Sequence, residues 1–318
     1  MTDVAATPPR GGITARIRRN AHTSALAYAL PTEPLDWVRA HAEELRTDLR
    51  EHGLLHLRGF PADIEVFNEV VTAIGGTMLE YNERSTPRHR VRGNIYTSTE
   101  YPPDQAIPLH NENSYSAHWP ATLFFFCQTA PRTGGATPMA DSRAVYELIP
   151  ESVRTRFSDG VAYTRTFREG LGLSWQEAFQ TTDRARVESY CARNGQEFTW
   201  DGNVLHTRHL RPAIQREPHT GADIWFNQAH LFHVSSLEPE VREAVLTVYR
   251  EDELPRNAYH AGGAAILDSD LDQIRETYAK ASLSLPWAPG DIMIVNNLLM
   301  AHGREPYTGD RRIMVAMT

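Results

Sequence analysis

The spacing of apolar residues predicts a helix–strand–helix start to the ordered chain. The run from Pro34 to Gly53 carries leucine and valine at helical spacing, and a second amphipathic run, 63–74, ends at a Gly-Gly pair. Between them, residues 54–60 form a short apolar run of strand length. The first thirty residues, which include Pro8, Pro9, Gly11 and Gly12, are expected to be a flexible lead-in.

Strand patterns recur later in the chain and enclose helical ones. Short runs rich in Val, Ile, Tyr and Phe predict strands, namely 91–97, 121–128, 289–297 and 311–317. Helical patterns and caps predict helices at 141–149, 174–177, 183–193, 237–250 and 268–281. We therefore expect one domain over 1–318: a mostly-β fold with helical insertions (α+β), a barrel or jelly roll, with 142–220 as a largely helical insertion. A parallel βαβ sheet is less favoured because no Gly-rich strand-to-helix fingerprint is present.

Composition narrows the class of protein. The 318 residues carry a formal net charge of −8, and no long basic run indicates a nucleic-acid partner. The two cysteines do not form a disulfide framework, and no apolar run has the length of a membrane span. The N-terminus has no signal-peptide pattern, so we expect a soluble cytoplasmic protein. Its oligomeric state is left open.

The sharpest chemical signal is a histidine and a carboxylate two residues apart. In an extended strand His110 and Glu112 would point to the same side. His302 follows an apolar strand and could supply the third ligand of a two-histidine, one-carboxylate iron site, which leaves positions open for a cosubstrate and dioxygen. Beyond it, Arg311 and Arg312 begin a strand that we expect to lie antiparallel beside the strand of His302. Only one of the two can face the interior, where it could hold a carboxylate.

Several further candidates have ordinary structural readings. The pairs His206/His209 and His230/His233 lack a completing ligand, so polar or supporting histidines are favoured over a second metal site. Asp141 is interpreted as a helix cap, and Cys127, among phenylalanines, as a buried thiol. Substrate-contact candidates are Asn113 and Tyr115, which follow the proximal ligands, and Phe226 in an apolar strand; loop and core positions are the respective alternatives.

Four ordered motifs resemble the TauD/TfdA-like superfamily of Fe(II)- and 2-oxoglutarate-dependent dioxygenases, in its SyrP-like and clavaminate-synthase-like branch. They are the helix-to-strand segment 51–60, the His-x-Glu segment 109–116, the Gly-Gly-containing loop 133–142 and the C-terminal segment 302–317. The resemblance implies a double-stranded β-helix (jelly-roll) core. It also implies a chemistry in which Fe(II), 2-oxoglutarate and O2 hydroxylate a C–H bond while 2-oxoglutarate loses carbon dioxide.

Carried over by position, the resemblance makes His110, Glu112 and His302 the metal ligands. It assigns the distal carboxylate of 2-oxoglutarate to Arg312 and Thr137. The taurine-binding arginine of taurine dioxygenase, four positions after the cosubstrate arginine, would be Ala316 here, which argues against taurine. Related halogenases have Gly or Ala in place of the carboxylate ligand, so Glu112 argues against halogen transfer.

The resemblance further implies a small-molecule substrate: an amino acid or amino-acid derivative, free or tethered to a carrier protein, in specialised (antibiotic-type) biosynthesis. Desaturation and cyclisation share the same cofactor chemistry and stay open. Two alternatives from other classes are a non-catalytic jelly-roll binding protein and a cupin-type metal enzyme that does not use 2-oxoglutarate.

Overall fold

The protein is described here from a computed structural model, which covers residues 2–5, 15–80, 89–98 and 101–318. Within these residues the α-helices are α1 Pro34–Ala40, α2 Ala42–His52, α3 Ile64–Gly75, α4 Ser142–Leu148, α5 Glu151–Arg156, α6 Trp175–Phe179, α7 Arg184–Arg193, α8 Ala229–Phe232, α9 Pro239–Val248 and α10 Asp268–Ala281. None of them is long and apolar enough to cross a lipid bilayer.

The strands in these described ranges fall into five sheets. They are β1 Thr2–Ala5, β2 Ala15–Arg19, β3 Ser24–Ala29, β4 Leu54–Arg58, β5 Arg90–Arg92, β6 Ile95–Thr97, β7 Ile107–His110, β8 Thr122–Thr129, β9 Thr133–Gly134, β10 Met139–Asp141, β11 Val161–Phe167, β12 Glu197–Asp201, β13 Val204–Arg211, β14 Ile214–Arg216, β15 Asp223–Trp225, β16 Asn257–His260, β17 Ile292–Asn296, β18 Met300–Arg304, β19 Tyr307–Thr308 and β20 Arg312–Met317. The main sheet runs β1-β2-β3-β4-β17-β8-β20-β6-β5, and a second runs β10-β18-β7. The predicted mostly-β architecture with helices is confirmed.

The central strands β8, β17 and β20 of the main sheet are buried on both faces, because successive side chains of a strand point to opposite faces. In β20, Met314 and Ala316 pack with helices α1–α3, whereas Ile313, Val315 and Met317 face the opposite way, toward the three-stranded sheet. Neighbouring β8 and β17 alternate in the same manner. The apolar cluster between the two sheets therefore lies on the side of odd-numbered β20 residues.

Two expectations for the organisation of the chain are wrong. The lead-in is not simply flexible, because β1, β2 and β3 join the main sheet and β3 pairs in parallel with β4; Leu26 and Tyr28 are buried there. Residues 1 and 6–14 lie outside the described part. The segment 142–220 is not largely helical either, since β11, β12 and β13 supply three strands of the four-stranded sheet β12-β13-β11-β16. Its capped helices, however, begin as predicted at Asp141, Ser174 and Asp183.

Candidate metal centre

Three side chains converge at the inner face of the three-stranded sheet. His110 ends β7 and is paired directly with His302 on β18, with 4.6 Å between the ring centroids. Glu112 Oε2 lies 3.7 Å from His302 Nε2, which is too long for a hydrogen bond but short enough for both atoms to bind one ion. Potential ligand atoms of the three residues all lie within 4.8 Å of one another, and no other such group of His, Cys, Asp or Glu occurs among the described residues.

The route by which Glu112 reaches this cluster differs from the expected strand alternation. Strand β7 stops at His110, and residues 112–115 form a turn. Asn113 has a positive φ of 56°, a conformation that asparagine tolerates better than most residues. The turn, and not a continued strand, therefore brings the carboxylate beside the histidines.

A buried asparagine clamps this turn. The side chain of Asn297 accepts a hydrogen bond from the Glu112 amide at 2.8 Å and donates to the Glu112 carbonyl at 3.0 Å. The Asn297 side-chain amide also donates to the Pro120 carbonyl. The backbone carbonyl of Asn297 accepts a hydrogen bond from the Asn111 side chain. The side chain is fully buried. Because both polar groups of the Glu112 peptide are bound, the carboxylate is presented from a fixed backbone.

Hydrogen bonds also orient the two histidines. His110 Nδ1 lies 2.8 Å from the Pro108 carbonyl. A carbonyl can only accept, so Nδ1 carries the proton and Nε2 keeps the lone pair that a metal needs. His302 is buried, and its Nδ1 has no hydrogen-bond partner in the described part of the chain. Two neutral imidazole nitrogens and one carboxylate form the donor set that suits Fe(II), so the residues present fit this ion.

Glycine permits the close approach of β18 to β7. A Cβ atom on Gly303 would lie 2.6 Å from the Ile107 carbonyl oxygen, nearer than two such atoms can pack. The strand pairing is irregular at this point, between His302 and Arg304. Glycine beside the distal histidine thus lets the two histidine-bearing strands meet.

The structure contradicts the choice of Arg312 for the cosubstrate carboxylate. The Arg312 side chain is 62% exposed and faces Asp310 at 3.7 Å. Arg311 shares the odd-numbered face with Ile313 and Val315, and it lines a small cavity with His110 and His302. Its Nε donates to the Gly135 carbonyl at 2.9 Å. Burial, followed by the positive charge of Arg304, lowers the pKa of Arg311 to about 10, so the side chain is still a cation at neutral pH.

The expected location of this arginine also needs correction. It does not stand on a strand paired with the histidine strand: β18 belongs to the three-stranded sheet, and β20 to the main sheet. The guanidinium faces His302 across the space between the sheets. Four positions beyond Arg311 stands Val315, which, like Ala316, offers no cation for a sulfonate.

Thr137 is buried beside this arginine, as its expected role requires. Its hydroxyl oxygen accepts from Trp287 Nε1 at 3.1 Å and lies 3.4 Å from Arg311. The cavity lined by Thr137, Arg311 and the two histidines has a volume of about 40 Å³. It adjoins a cleft of about 730 Å³ with which it shares Ser98, Arg304, Arg311 and Ile313. The small cavity at the two histidines and the wide cleft therefore border each other.

The three substrate-contact candidates are all buried and do not converge. Phe226 is 1% exposed and packs on Trp119 at 5.0 Å in the apolar core, so its pocket role is wrong and the core alternative is correct. Asn113 and Tyr115 are buried rather than solvent-facing, and the Tyr115 hydroxyl donates to Asn113 at 3.2 Å. Tyr115 nevertheless lies at the edge of the proximal-ligand turn.

The other histidines, Asp141 and Cys127 have the structural roles that the sequence favoured. His206 bonds Thr166, and His209, three residues along the same strand, faces the other way. His230 Nε2 donates to the Leu109 carbonyl at 2.8 Å, one residue before His110, which gives it a supporting role. Asp141 caps α4. Cys127 is buried, and desolvation raises the pKa of its thiol to about 12, so it is inert.

Sequence reasoning missed Asn297, Trp287 and the supporting role of Gln228, whose amide donates to the Asn111 carbonyl at 2.6 Å. The signal for Asn297 was available, because two asparagines directly follow a buried apolar strand. Trp287 and Gln228 carry no comparable local signal, since each acts across more than one hundred residues of sequence.

Comparison with known proteins agrees with this geometry. Residues 25–318 match the family described as "Taurine catabolism dioxygenase TauD, TfdA family". The dapdiamide synthesis protein DdaC of Enterobacter agglomerans is 41% identical over 272 residues, which cover 85% of this chain and 83% of that protein. A clavaminate synthase-like protein of Arabidopsis thaliana is 30% identical over 308 residues, covering 92% and 88%.

Solved structures share the fold at lower identity. PvcB of Pseudomonas aeruginosa, described as an Fe, alpha-ketoglutarate dependent oxygenase from an isonitrile synthetic pathway, superposes with TM-scores of 0.58 and 0.55 in two structures. The sequences are 17% identical, and the match covers 100% of this chain and 94% of PvcB. The main sheet and the three-stranded sheet thus belong to a jelly-roll core that this chain shares with PvcB.

Proposed function

The chain belongs to the TauD/TfdA family of Fe(II)- and 2-oxoglutarate-dependent dioxygenases, and we propose that it hydroxylates an unactivated C–H bond of an amino acid or amino-acid derivative. Enzymes of the family use Fe(II), 2-oxoglutarate and O2, which excludes the non-catalytic and cosubstrate-free alternatives. The observation that carries the proposal is that His110 and His302, which converge with Glu112, line one cavity together with Thr137 and Arg311.

In the proposed site His110, Glu112 and His302 hold the iron. Bound Fe(II) with 2-oxoglutarate supplies the oxidising power for C–H cleavage. Arg311, in place of Arg312, binds the distal carboxylate of 2-oxoglutarate, and the Thr137 hydroxyl donates to the same group. A planar guanidinium can donate two parallel hydrogen bonds to a carboxylate. The hydrogen bond from Arg311 Nε to the Gly135 carbonyl fixes the direction in which the guanidinium points.

The remaining residues of the site position these groups and exclude water. Asn297 fixes the backbone of Glu112, and the Pro108 carbonyl fixes the tautomer of His110. Phe125, Ile313 and Val315 line the cavity with apolar surface. A dry wall keeps polar groups other than the substrate away from the oxidant. We propose that the whole chain works as a single dioxygenase domain, because strands from both ends share the main sheet.

The proposed substrate class is supported by the two curated relatives. One is named for dapdiamide synthesis and the other for its likeness to clavaminate synthase, and both names point to amino-acid-derived metabolites. We place this chain in specialised metabolism on that basis. Presentation of the substrate on a carrier protein is retained as one form of the proposal, and desaturation or cyclisation as alternative outcomes.

The test combines a spectrum with product analysis. Anaerobic Fe(II) and 2-oxoglutarate should give a visible charge-transfer band, and with oxygen the enzyme should release succinate. His110→Ala and His302→Ala should abolish both, whereas His206→Ala, a histidine outside the site, should not. Mass spectrometry of a panel of free and carrier-bound amino acids then identifies the product: a gain of one oxygen indicates hydroxylation, and a loss of two hydrogens indicates desaturation or ring closure. Turnover with iron rigorously removed would disprove the proposal.

A further inference from the structure

A second buried arginine, Arg304, lines the same small cavity as Arg311. Arg304 ends β18, two residues beyond the distal ligand His302, and is 5% exposed. Its side chain borders both the small cavity at the two histidines and the wide cleft. Two cations at one cavity repel each other: after burial, the charge of Arg304 is the next cause that lowers the pKa of Arg311. A second buried cation at this place is costly unless its N–H groups find acceptors.

The N–H groups of Arg304 are bonded to the backbone of one short segment. Nη1 donates to the Tyr101 carbonyl at 2.9 Å. Nη2 donates to the carbonyls of Pro102 and Gln105, at 2.6 Å and 2.8 Å. The guanidinium carbon also lies 5.9 Å from the centre of the Tyr101 ring. Three hydrogen bonds from one cationic group therefore hold the segment 101–105 against the end of β18.

Arg304 and Arg311 differ in the hydrogen bonds that their terminal nitrogens make. Arg311 Nη1 and Nη2 lie 3.4 Å from the hydroxyls of Ser98 and Thr137, which is long for a hydrogen bond. Both guanidinium groups lie over the Tyr307 ring, at 5.2 Å for Arg304 and 5.5 Å for Arg311. The short bonds of Arg304 engage the backbone, whereas the terminal N–H groups of Arg311 are available to a cosubstrate carboxylate.

The segment 101–105 connects the wide cleft with the metal centre. Its first two residues line the cleft. Ile107, two positions beyond the segment, is paired with Arg304 between β7 and β18 and lines the small cavity. Strand β7 then ends at the metal ligand His110. A shift of the segment would therefore move the wall that Ile107 contributes to the cosubstrate cavity.

We propose that Arg304 is a positioning residue, which holds the segment 101–105 and thereby the Ile107 wall of the cavity that binds 2-oxoglutarate. The inference rests on the proposed function and adds a residue that acts on the cosubstrate through the backbone of its pocket. An arginine suits this role because its planar fork reaches three carbonyls in fixed directions, whereas a lysine presents one ammonium group on a flexible stem.

The test compares the affinities for 2-oxoglutarate and for Fe(II). Anaerobic titration of the charge-transfer band should give a Kd of 2-oxoglutarate about 10-fold higher in Arg304→Gln than in the wild type, the scale expected when a supporting hydrogen-bond partner is lost. Arg304→Lys keeps the charge but loses the fork, so its Kd should lie closer to that of Arg304→Gln than to that of the wild type. The Kd of Fe(II) should change far less, because Asn297 still holds the Glu112 peptide.

A second measurement follows the segment itself and needs neither iron nor cosubstrate. Hydrogen–deuterium exchange of the full chain, read by peptide mass spectrometry, should be faster in peptides covering 101–107 in both Arg304 variants, because the segment opens more often without its three bonds. Arg154→Gln is the matched control: Arg154 on α5 also lies over a tyrosine ring, 4.6 Å from the centre of Tyr146, and donates to a backbone carbonyl. It should leave both the exchange and the Kd unchanged.

Four results would overturn the proposed role. They are an unchanged Kd of 2-oxoglutarate in Arg304→Gln, unchanged exchange of 101–107, full recovery of both by Arg304→Lys, and an equal loss of Fe(II) affinity. If Arg304→Gln does not fold, Arg304→Lys still decides, because wild-type affinity and exchange in that variant would exclude the role. A missing charge-transfer band in the wild-type enzyme would instead refute the proposed function, so the two failures are distinguishable.

Discussion

Exchanging Arg311 for glutamine should weaken 2-oxoglutarate binding far more than the same exchange at Arg312. The two residues are adjacent arginines, so a comparison of the two variants tests the direction of the side chain while its chemical type stays the same. Arg311 lines the cavity with His110 and His302, whereas Arg312 is 62% exposed. Glutamine is chosen because it keeps a polar amide of intermediate length at each position.

The magnitude follows from the environment of each guanidinium. Among the residues that the structure describes, the hydrogen-bond acceptors of Arg311 are neutral: the Gly135 carbonyl, Ser98 and Thr137. The cosubstrate carboxylate would be the anion that completes this set, and hydrogen bonds to a charged group contribute about 1.5–3 kcal/mol. Arg311→Gln should therefore raise the Kd of 2-oxoglutarate about 10- to 100-fold. Arg312→Gln removes an exposed contact with Asp310, and its effect should be within about twofold.

The assay is anaerobic titration of the Fe(II) enzyme with 2-oxoglutarate, followed by the charge-transfer band. Kinetic KM values for 2-oxoglutarate under oxygen provide an independent measure. Thermal unfolding of both variants shows whether the fold is retained. If Arg312→Gln weakens binding and Arg311→Gln does not, the assignment of strand faces is wrong, and the positional resemblance that selected Arg312 would be the better guide.

Three further predictions concern residues that support the site. Asn297→Ala should lower the affinity for Fe(II) about 10- to 100-fold, because the Glu112 peptide loses its clamp; unchanged metal titrations would exclude this role. Trp287→Phe removes the indole donor to Thr137 and should raise the Kd of 2-oxoglutarate about fivefold, the loss of one neutral hydrogen bond; no change would mean that Thr137 needs no such support. Burial lowers the pKa of His230 to about 4, below the value of about 6.5 in an unfolded chain, so between these values the unfolded chain binds more protons and the free energy of unfolding falls as the pH falls. Urea unfolding of His230→Gln should show a smaller decrease from about pH 7 to about pH 5, and an equal decrease would show that other groups carry it.

Local sequence determined much of the fold because its signals act over short distances. The cap at Asp141, the capping box at Ser174 and the glycine stop at Gly53 each depend on residues within one helical turn, and each was predicted correctly. The ligand set itself was also visible in sequence, since residue type and order suggested it before any geometry.

The identity of the inward-facing arginine required the tertiary structure. The two-residue spacing of Arg311, Ile313 and Val315 predicts that they share one face, but both faces of the main sheet are buried and apolar around β8, β17 and β20. The hydrophobic pattern therefore could not show which face of the sheet points toward the metal centre. Only the packing of the three-stranded sheet against the odd-numbered face made that distinction.

The turn at Glu112 and the pairing of β11 with β16 also depend on the tertiary structure. Asn297 reaches the Glu112 peptide across 185 residues of sequence, and the register between β11 and β16 joins segments about ninety residues apart. No local pattern encodes such contacts, because their free energy is gained only when the intervening chain has folded. The sequence by itself determined which chemical groups the protein carries, and the tertiary structure decided which of them meet.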